Sequence, residues 1–217
     1  MTYLIFFDIN GTIIERDART DLPFEAAVKQ LINMDNPMDG VDTSARSDKD
    51  VLMEILSKFH IKFTDLLWDN FLVLYKEQLE NFKSTDVWRD NVDAVEFIQW
   101  LSQTNHKLSL ITGELDIGAQ YKLEKIDVWQ YFKTGGFGGD GLKRFEIAEA
   151  ALDKAGQLFE YDKIIVIGDT TLDIQTARHI GAEIISITTG SHSREKLLSF
   201  EPDYIIDTFS EIKYLFQ

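Results

Sequence analysis

The sequence predicts an α/β fold in which a doubly wound parallel sheet carries an inserted α-helical subdomain. Five short apolar runs rich in Ile, Val and Leu are separated for the most part by segments of helical periodicity. Such alternation is typical of parallel strands joined by right-handed helical crossovers. One interval breaks the pattern, because about a hundred residues separate the first apolar run from the second. That is far more chain than one crossover needs, and it predicts the insertion.

The predicted strands share a nearly continuous apolar character, and they are Leu4–Phe7, Lys107–Ile111, Lys163–Ile167, Glu183–Ile187 and Tyr204–Ile206. Continuous apolar runs are typical of strands that are buried on both faces of a sheet. Between them, apolar residues recur every three positions over 92–101 and again over 174–180, where Gly181 follows as a typical helix terminator. In sheets of this kind, ligands bind beyond the carboxyl ends of the strands.

The long interval after the first strand contains three amphipathic patterns, near positions 24–31, 51–59 and 67–82. We therefore expect a small helical subdomain over residues 17–85. The α/β core would then consist of residues 1–16 and 86–217.

Composition excludes several classes of function. The 217 residues include 22 Lys and Arg against 37 Asp and Glu, for a formal net charge of −15, and no Cys. A chain this acidic is not expected to bind nucleic acid or an anionic membrane surface. Without Cys it has no disulfide, thiolate metal site or Cys nucleophile. No apolar run approaches the length of a membrane span, and no basic leader precedes the first run. We expect a cytoplasmic protein, of an oligomeric state that the sequence leaves open.

Small polar and acidic residues follow three of the predicted strands, in the segments Asp8-Ile9-Asn10-Gly11-Thr12, Thr112-Gly113 and Gly168-Asp169-Thr170-Thr171-Leu172-Asp173. The carboxyl ends of parallel strands meet at one edge of a sheet, so carboxylates from distant segments should crowd together there. Such crowding is costly unless a cation binds between them. Oxygen donors without His or Cys suit Mg²⁺.

These segments resemble, in their order along the chain, the motifs of the haloacid dehalogenase superfamily of hydrolases, and especially its phosphoglycolate-phosphatase-like branch. The resemblance includes a basic residue at Lys143 or Arg144 and covers nearly the whole chain. It implies a Rossmann-like core, with the inserted helices as the cap between the first two motifs. The implied activity is Mg²⁺-dependent hydrolysis of a small phosphorylated metabolite through an aspartyl-phosphate intermediate.

The resemblance also implies roles for the acidic motif residues and for Asn10. Asp8 would be the nucleophile. Its carboxylate and the backbone carbonyl of Asn10 would hold Mg²⁺ together with Asp169, and Asp173 would either bind the metal or support its ligands.

The remaining motif residues would bind the phosphoryl group or the rest of the substrate. The Thr112 side chain and the Gly113 amide would donate hydrogen bonds to phosphoryl oxygens. A cation at Lys143 or Arg144 would balance the phosphate charge, and the spacing from Phe137-Gly138 resembles that of family members with Arg at this place, which slightly favours Arg144.

Two further patterns have competing interpretations. The segment Ala45-Arg46-Ser47-Asp48 resembles the cap's substrate loop, so Arg46 and Ser47 are candidate substrate-binding residues; alternatively, Arg46 is a solvated residue at a helix start. Residues 136–141 fit the G-x-G-x-x-G pattern of dinucleotide sites. No convincing first strand precedes them, and a loop that delivers the basic residue is favoured.

Asn10 departs from the family's pattern, which has Asp at this position. That Asp protonates the leaving group and then activates water, whereas a carboxamide has no usable proton at neutral pH. Three explanations stay open: a catalytically impaired phosphate-binding or regulatory protein, a substrate whose leaving group needs no proton, or an Asp→Asn change made to trap a complex. Asn10-Gly11 is also a signal for a type I′ hairpin.

Two other functions compete with the phosphatase interpretation. A halide-releasing hydrolase of the same superfamily needs no metal, and the clustered carboxylates argue against it. A phosphoacceptor receiver module also joins Asp, Thr and Lys on a doubly wound sheet, but the length of the chain and its insertion argue against it.

Overall fold

A parallel β-sheet forms the centre of the computed structural model, which describes residues 1–17, 19–43 and 46–217. The strands in these ranges are β1 (Tyr3–Phe7), β2 (Lys107–Ile111), β3 (Gly135–Gly136), β4 (Lys163–Gly168), β5 (Glu183–Ile187) and β6 (Tyr204–Ile206). Their order across the sheet is β3-β2-β1-β4-β5-β6, and all neighbours are parallel. The predicted doubly wound α/β fold and its five strands are therefore confirmed. The two-glycine strand β3 lacks the apolar pattern that would have revealed it.

The α-helices in the same ranges are α1 (Leu22–Ile32), α2 (Asp48–Lys58), α3 (Asp65–Phe82), α4 (Val92–Leu101), α5 (Asp116–Lys125), α6 (Arg144–Leu158), α7 (Thr171–His179) and α8 (Arg194–Leu198). Two 3₁₀ helices cover Trp129–Tyr131 and Phe209–Phe216. Across these described segments, we find no helix with the combination of length and hydrophobicity that crossing a bilayer requires.

The sheet buries apolar side chains on both faces, as its continuous apolar strands predict. Along β1, Ile5 and Phe7 point into one layer, which contains buried residues of α4, α5 and the C-terminal 3₁₀ helix. Leu4 and Phe6 point into the opposite layer, which contains buried residues of α6, α7 and α8. Each strand therefore supplies both halves of the core.

The strand order reverses beside β1, which lies between β2 and β4. Such a reversal opens a crevice at the carboxyl ends of the two neighbouring strands. Phe7 lies opposite both Leu110 and Ile167, and the Asp8 amide donates to the Ile167 carbonyl at 2.9 Å. The segments after β1, β2 and β4 consequently start at the same level, on the same edge.

The inserted segment contributes α1, α2 and α3. Phe24 of α1 packs edge-on against Phe71 and Tyr75 of α3, with ring centroids 5.3 and 6.0 Å away. The buried residues of these helices belong to the same apolar cluster as the first face of the sheet. Where the chain leaves and re-enters the core, Arg89 Nη2 lies 3.2 Å from Asp17 Oδ2. The division at residues 17–85 stays a prediction.

Candidate active site

A cavity of about 380 Å³ lies above the crevice beside β1. Its core wall comes from the segments that follow the central strands, among them Asp8, Asn10 and Thr112. Its opposite wall comes from the inserted segment, among others Phe24 and Val51. A ligand bound in this cavity would therefore be held between the strand ends and the inserted helices.

One arginine joins two of the acidic motifs. Arg144, the first residue of α6, is 8 % exposed. Its Nη2 donates to Asp8 Oδ1 at 2.6 Å, to Asp173 Oδ1 at 2.7 Å and to the Ile111 carbonyl at 3.0 Å. Lys143 is exposed at the start of the helix and does not line the cavity. The geometry thus places Arg144, of the two candidate cations, beside the nucleophile candidate.

Burial, with the crowding of carboxylates as a further cause, raises the pKa values of the acids at this edge. Burial raises the pKa of Asp8 to about 8, and the carboxylates of Asp173 and Asp169 add to the effect while Arg144 opposes it. Burial, followed by the charge of Asp173, raises the pKa of Asp169 to about 6. In the protein alone, one arginine therefore leaves this group of acids short of positive charge near neutral pH.

The oxygen donors at this edge fit a hard cation in their chemistry. Asp169 Oδ1 is buried and lacks a hydrogen-bond partner among the described residues, while its Oδ2 accepts from the Ser191 amide at 2.5 Å. Gly11 has a φ of +89°, and a Cβ there would lie 2.5 Å from Asp169 Oδ2. Only glycine therefore lets the segment after β1 lie against this carboxylate.

Asp173 is engaged differently from Asp169. Its Oδ1 accepts from Arg144, and its Oδ2 accepts from the Thr170 amide at 3.0 Å and from the Thr170 hydroxyl at 2.6 Å. Asp173 therefore positions Arg144 and caps α7, rather than offering a free oxygen to a metal. Within the ranges that the structure covers, no group of three or more His, Asp or Glu is arranged as a metal site. Of the three acids, Asp8 and Asp169 are therefore the candidate carboxylate ligands for a hard cation.

The loop after β2 lies between the core and the insertion. A Cβ at Gly113 would lie 2.0 Å from the Arg46 carbonyl oxygen, and the Gly113 carbonyl accepts from the Asp48 amide at 2.8 Å. The glycine-rich segment 136–141 borders the other side of this loop, where the Thr112 amide donates to the Gly136 carbonyl at 3.0 Å. Thr112 and Gly113 both line the cavity, and their hydrogen bonds to a phosphoryl group stay a prediction.

Asn10 is held by a buried ion pair. Its Nδ2 donates to Glu114 Oε1 at 2.5 Å, and its Oδ1 accepts from Lys122 Nζ at 3.3 Å. Lys122 also pairs with Glu114, and the two residues are 2 % and 6 % exposed. Because only Gly11 of the Asn10-Gly11 pair has a positive φ, the turn is not the type I′ hairpin that the dipeptide signals.

Sequence reasoning missed both members of this ion pair. The available signal was Lys122, which lies on the buried face of α5 with Ala119 and Leu123. A lysine is almost never fully buried without a partner, so a lysine on an apolar helix face indicates a buried acid nearby.

The two cap residues chosen from the sequence are both engaged by the protein itself. Arg46 lines the cavity, but its guanidinium pairs with Asp50 at 2.8 Å and also with Glu54. The Ser47 hydroxyl caps α2 and donates to the Leu142 carbonyl at 3.1 Å, and Ser47 does not line the cavity. Ala45 of the same segment lies outside the described residues. The structure thus leaves neither the Arg46 charge nor the Ser47 hydroxyl free for a substrate.

Comparison with known proteins gives relatives that are named phosphatases. "Probable phosphatase IndB" of Dickeya dadantii is 30 % identical over 55 % of this chain, a match that spans 52 % of that protein. A phosphoglycolate phosphatase of Agrobacterium fabrum is 24 % identical over 96 % of this chain and 90 % of its own length. The match to the first relative thus spans about half of its length, and the match to the second nearly all of it.

Solved structures share the fold at low sequence identity. A predicted phosphoglycolate phosphatase from Haemophilus somnus superposes with a TM-score of 0.70 at 20 % identity, over 100 % of this chain and 98 % of its own. A haloacid dehalogenase-like family hydrolase from Streptococcus pneumoniae gives 0.64 at 20 % identity, over 100 % and 99 %. The family model for haloacid dehalogenase-like hydrolases matches residues 5–178, and a second, HAD-hydrolase-like model matches residues 145–212. The first match spans most of the chain, from the strand before Asp8 to the helix that holds Asp173, and this protein therefore belongs to the haloacid dehalogenase-like hydrolases.

Proposed function

We propose that this protein is a Mg²⁺-dependent phosphatase that hydrolyses a small phosphorylated metabolite through an aspartyl phosphate on Asp8. The observation that carries the proposal is the buried Arg144, which bridges Asp8 and Asp173 at the base of a cavity bordered by the inserted helices. A cation in contact with a buried carboxylate suits a reaction in which two anions must meet. Relatives named phosphatase support the choice of phosphate as the transferred group.

In the first step, an oxygen of the Asp8 carboxylate forms a bond to phosphorus while the bond from phosphorus to the leaving oxygen breaks. The electron pair of that bond goes to the leaving oxygen, which takes a proton from water. In the second step, water attacks phosphorus and loses a proton, and the bond from phosphorus to Asp8 breaks. Inorganic phosphate leaves, and Asp8 returns to its carboxylate form.

The residues around Asp8 hold the phosphoryl group in place for both steps. Arg144 supplies a fixed positive charge, and the Thr112 hydroxyl and the Gly113 amide are donors on the same wall. Mg²⁺ would be held by Asp8, by Asp169 and by the backbone carbonyl of Asn10. When bound, it would supply the positive charge that favours ionised Asp8 and stabilises the charge on the phosphoryl oxygens.

Asn10 limits which esters react quickly. It cannot protonate a leaving group or remove a proton from water, which are contributions of about 10²–10⁴-fold. Phenolic and acyl phosphates leave as fairly stable anions and should react appreciably, whereas alkyl esters should react slowly. Hydrolysis of the aspartyl phosphate also lacks its base, so we expect a burst of product followed by a slow steady state.

The test is hydrolysis of p-nitrophenyl phosphate with Mg²⁺ and with EDTA, for the parent protein and for Asp8→Asn. We expect turnover only in the parent with Mg²⁺. Asp162→Asn is the matched control, because it makes the same chemical change at an exposed residue before β4, at the opposite edge of the sheet. It should retain the parent rate.

Two outcomes would count against the proposal as stated. Hydrolysis of p-nitrophenyl phosphate that survives EDTA would remove the metal from the mechanism. Binding of phosphate or vanadate without any turnover would favour the impaired phosphate-binding protein, for which Asn10 is the supporting observation.

A further inference from the structure

The part of the cavity that faces the leaving group differs in charge from the part that faces the phosphoryl group. Asp8 and Arg144 fix the phosphoryl end at the base of the cavity. From there a leaving group would extend past Asn10 and Glu114 toward the inserted helices. Its chemistry must therefore match the residues on that side.

Three carboxylates lie along this side of the cavity: Glu114 after β2, Asp21 at the start of α1 and Asp48 at the start of α2. They interact with one another, because burial and then the Glu114 carboxylate raise the pKa of Asp48 well above its usual range, and Asp21 adds to the effect. Lys122 is the cation that opposes it, and Lys122 is already paired with Glu114. The group is short of positive charge.

One oxygen of Glu114 is the observation that indicates a ligand. It is 6 % exposed and lines the cavity. Its Oε1 accepts from Asn10 and from Lys122, whereas its buried Oε2 has no hydrogen-bond partner in the part of the chain that the structure describes. A buried carboxylate oxygen without a donor is costly, and a donor on a bound substrate would remove that cost.

The arginines of the cavity do not offer a site for a second anion on this side. Arg144 is bonded to Asp8 and Asp173, and Arg46 is compensated by acids of α2. Arg16 donates to the Ser191 carbonyl at 3.3 Å, and Ser191 in turn lies against Asp169 after β4. Because β4 and β2 lie on opposite sides of β1, Arg16 is across the cavity from Glu114.

We propose that the leaving group of the substrate carries a primary ammonium group, as in an amino-alcohol phosphate, and that Glu114 Oε2, Asp48 and Asp21 recognise it. An ammonium group has three donors and one positive charge, which match an unpartnered oxygen within a group of three carboxylates. A carboxylate-bearing ester such as phosphoglycolate meets like charges at the same place. This inference rests on the phosphatase function proposed above, and it names the substrate class.

Three esters of similar size provide the test, because they share the CH₂–O–phosphate unit and differ in the charge of the other end: aminoethyl phosphate, hydroxyethyl phosphate and phosphoglycolate. Dissociation constants are measured by calorimetry with Mg²⁺ on Asp8→Asn, which cannot turn them over, and kcat/KM is measured on the parent. We expect aminoethyl phosphate to bind about 10- to 100-fold more tightly than hydroxyethyl phosphate, the range of one charge-assisted hydrogen bond. Phosphoglycolate should bind most weakly.

Variants separate recognition from folding. Glu114→Gln keeps the Oε1 acceptor for Asn10 and should abolish the preference for the ammonium ester. Because that change leaves Lys122 without its acid, Asp21→Asn is the milder second variant, and it should reduce the preference. Asp17→Asn is the matched control, since Asp17 lines the same cavity but is already paired with Arg19 and Arg89. It should leave the preference unchanged.

Each result decides a different claim. If phosphoglycolate or hydroxyethyl phosphate binds as tightly as aminoethyl phosphate, or if both variants keep the preference, the ammonium site is refuted while any measured hydrolysis leaves the phosphatase proposal intact. If aminoethyl phosphate binds best and its advantage is reduced in Asp21→Asn, the site is supported. If aminoethyl phosphate shows this binding preference but neither the three esters nor p-nitrophenyl phosphate are hydrolysed, the phosphatase proposal fails and the ammonium site stands.

Discussion

Replacing Asn10 by Asp would restore the carboxylate that the family carries, but in this chain it would also place two carboxylates in contact. Asn10 Nδ2 lies 2.5 Å from Glu114 Oε1, and Glu114 is buried beside Lys122. We expect Asn10→Asp to be destabilised, and the double variant Asn10→Asp/Glu114→Gln to recover, because the swap keeps the net charge and reverses the hydrogen bond. Lys122 would then pair with the new carboxylate.

The magnitude follows from the interactions that change. Asn10→Asp loses a hydrogen bond to a charged group, worth about 1.5–3 kcal/mol. Two like charges about 4 Å apart add about 4 kcal/mol at an effective dielectric constant of about 20, and Lys122 offsets most of that. We expect Asn10→Asp to lower the free energy of unfolding by about 2–4 kcal/mol. Glu114→Gln should lower it by about 3–5 kcal/mol, because it leaves a buried cation unpaired. The double variant should match the parent to within about 1 kcal/mol.

Urea unfolding of all four proteins, followed by the fluorescence of the four Trp residues, measures these free energies and the coupling between the two positions. In Asn10→Asp, the new carboxyl group and Glu114 together hold a proton more tightly in the folded protein than in the unfolded chain. The free energy of unfolding of this variant should therefore fall as the pH rises above about 4. Free energies that add to within about 0.5 kcal/mol, or an Asn10→Asp protein as stable as the parent, would refute the coupling.

Three further outcomes are expected. Burial raises the pKa of Asp8 in the folded protein from 3.8 to about 8. The free energy of unfolding should therefore fall as the pH rises from about 4 to about 8 and stay low above that. Without Mg²⁺, Asp8→Asn should thus be more stable than the parent at high pH by up to a few kcal/mol and not at pH 3; urea unfolding at both pH values checks this, and identical pH dependences would contradict it. Mg²⁺ should raise the melting temperature of the parent more than that of Asp8→Asn, and EDTA should reverse the rise; an equal rise in both proteins would place the metal elsewhere. Gly113→Ala puts a Cβ 2.0 Å from the Arg46 carbonyl oxygen and should lower the free energy of unfolding by about 1–3 kcal/mol. Gly139→Ala is the control and should be nearly neutral, because the nearest atom to its Cβ lies 3.5 Å away. Equal losses in the two variants would mean that the loop at Gly113 adapts.

Local patterns were sufficient for the strands and for the edge where the site lies. The apolar runs that form β2, β5 and β6 have the predicted bounds, and β1 and β4 each differ by one residue. The reason is that burial on both faces of a parallel sheet leaves its mark on consecutive residues. Strand β3 has two glycines and no such mark, so its pairing with β2 was not predictable.

The sequence by itself determined the fold class, the family resemblance and the strand ends that Asp8, Thr112 and Asp169 follow, since each apolar run and each motif consists of residues that are close together along the chain. Only the tertiary structure decided which cation reaches Asp8. Arg144 points inward from the first position of α6 while its neighbour Lys143 stays exposed.

The tertiary structure also decided the charge of the leaving-group side. Asn10 and Glu114 are 104 residues apart in the chain, and Asn10 and Lys122 are 112 apart. No local periodicity relates such positions, because their contact depends on β1 and β2 being neighbours and on where α5 packs in the fold. A single chain records which residue types are present, whereas the packing of strands and helices determines which of their charges are compensated and which are left for a ligand.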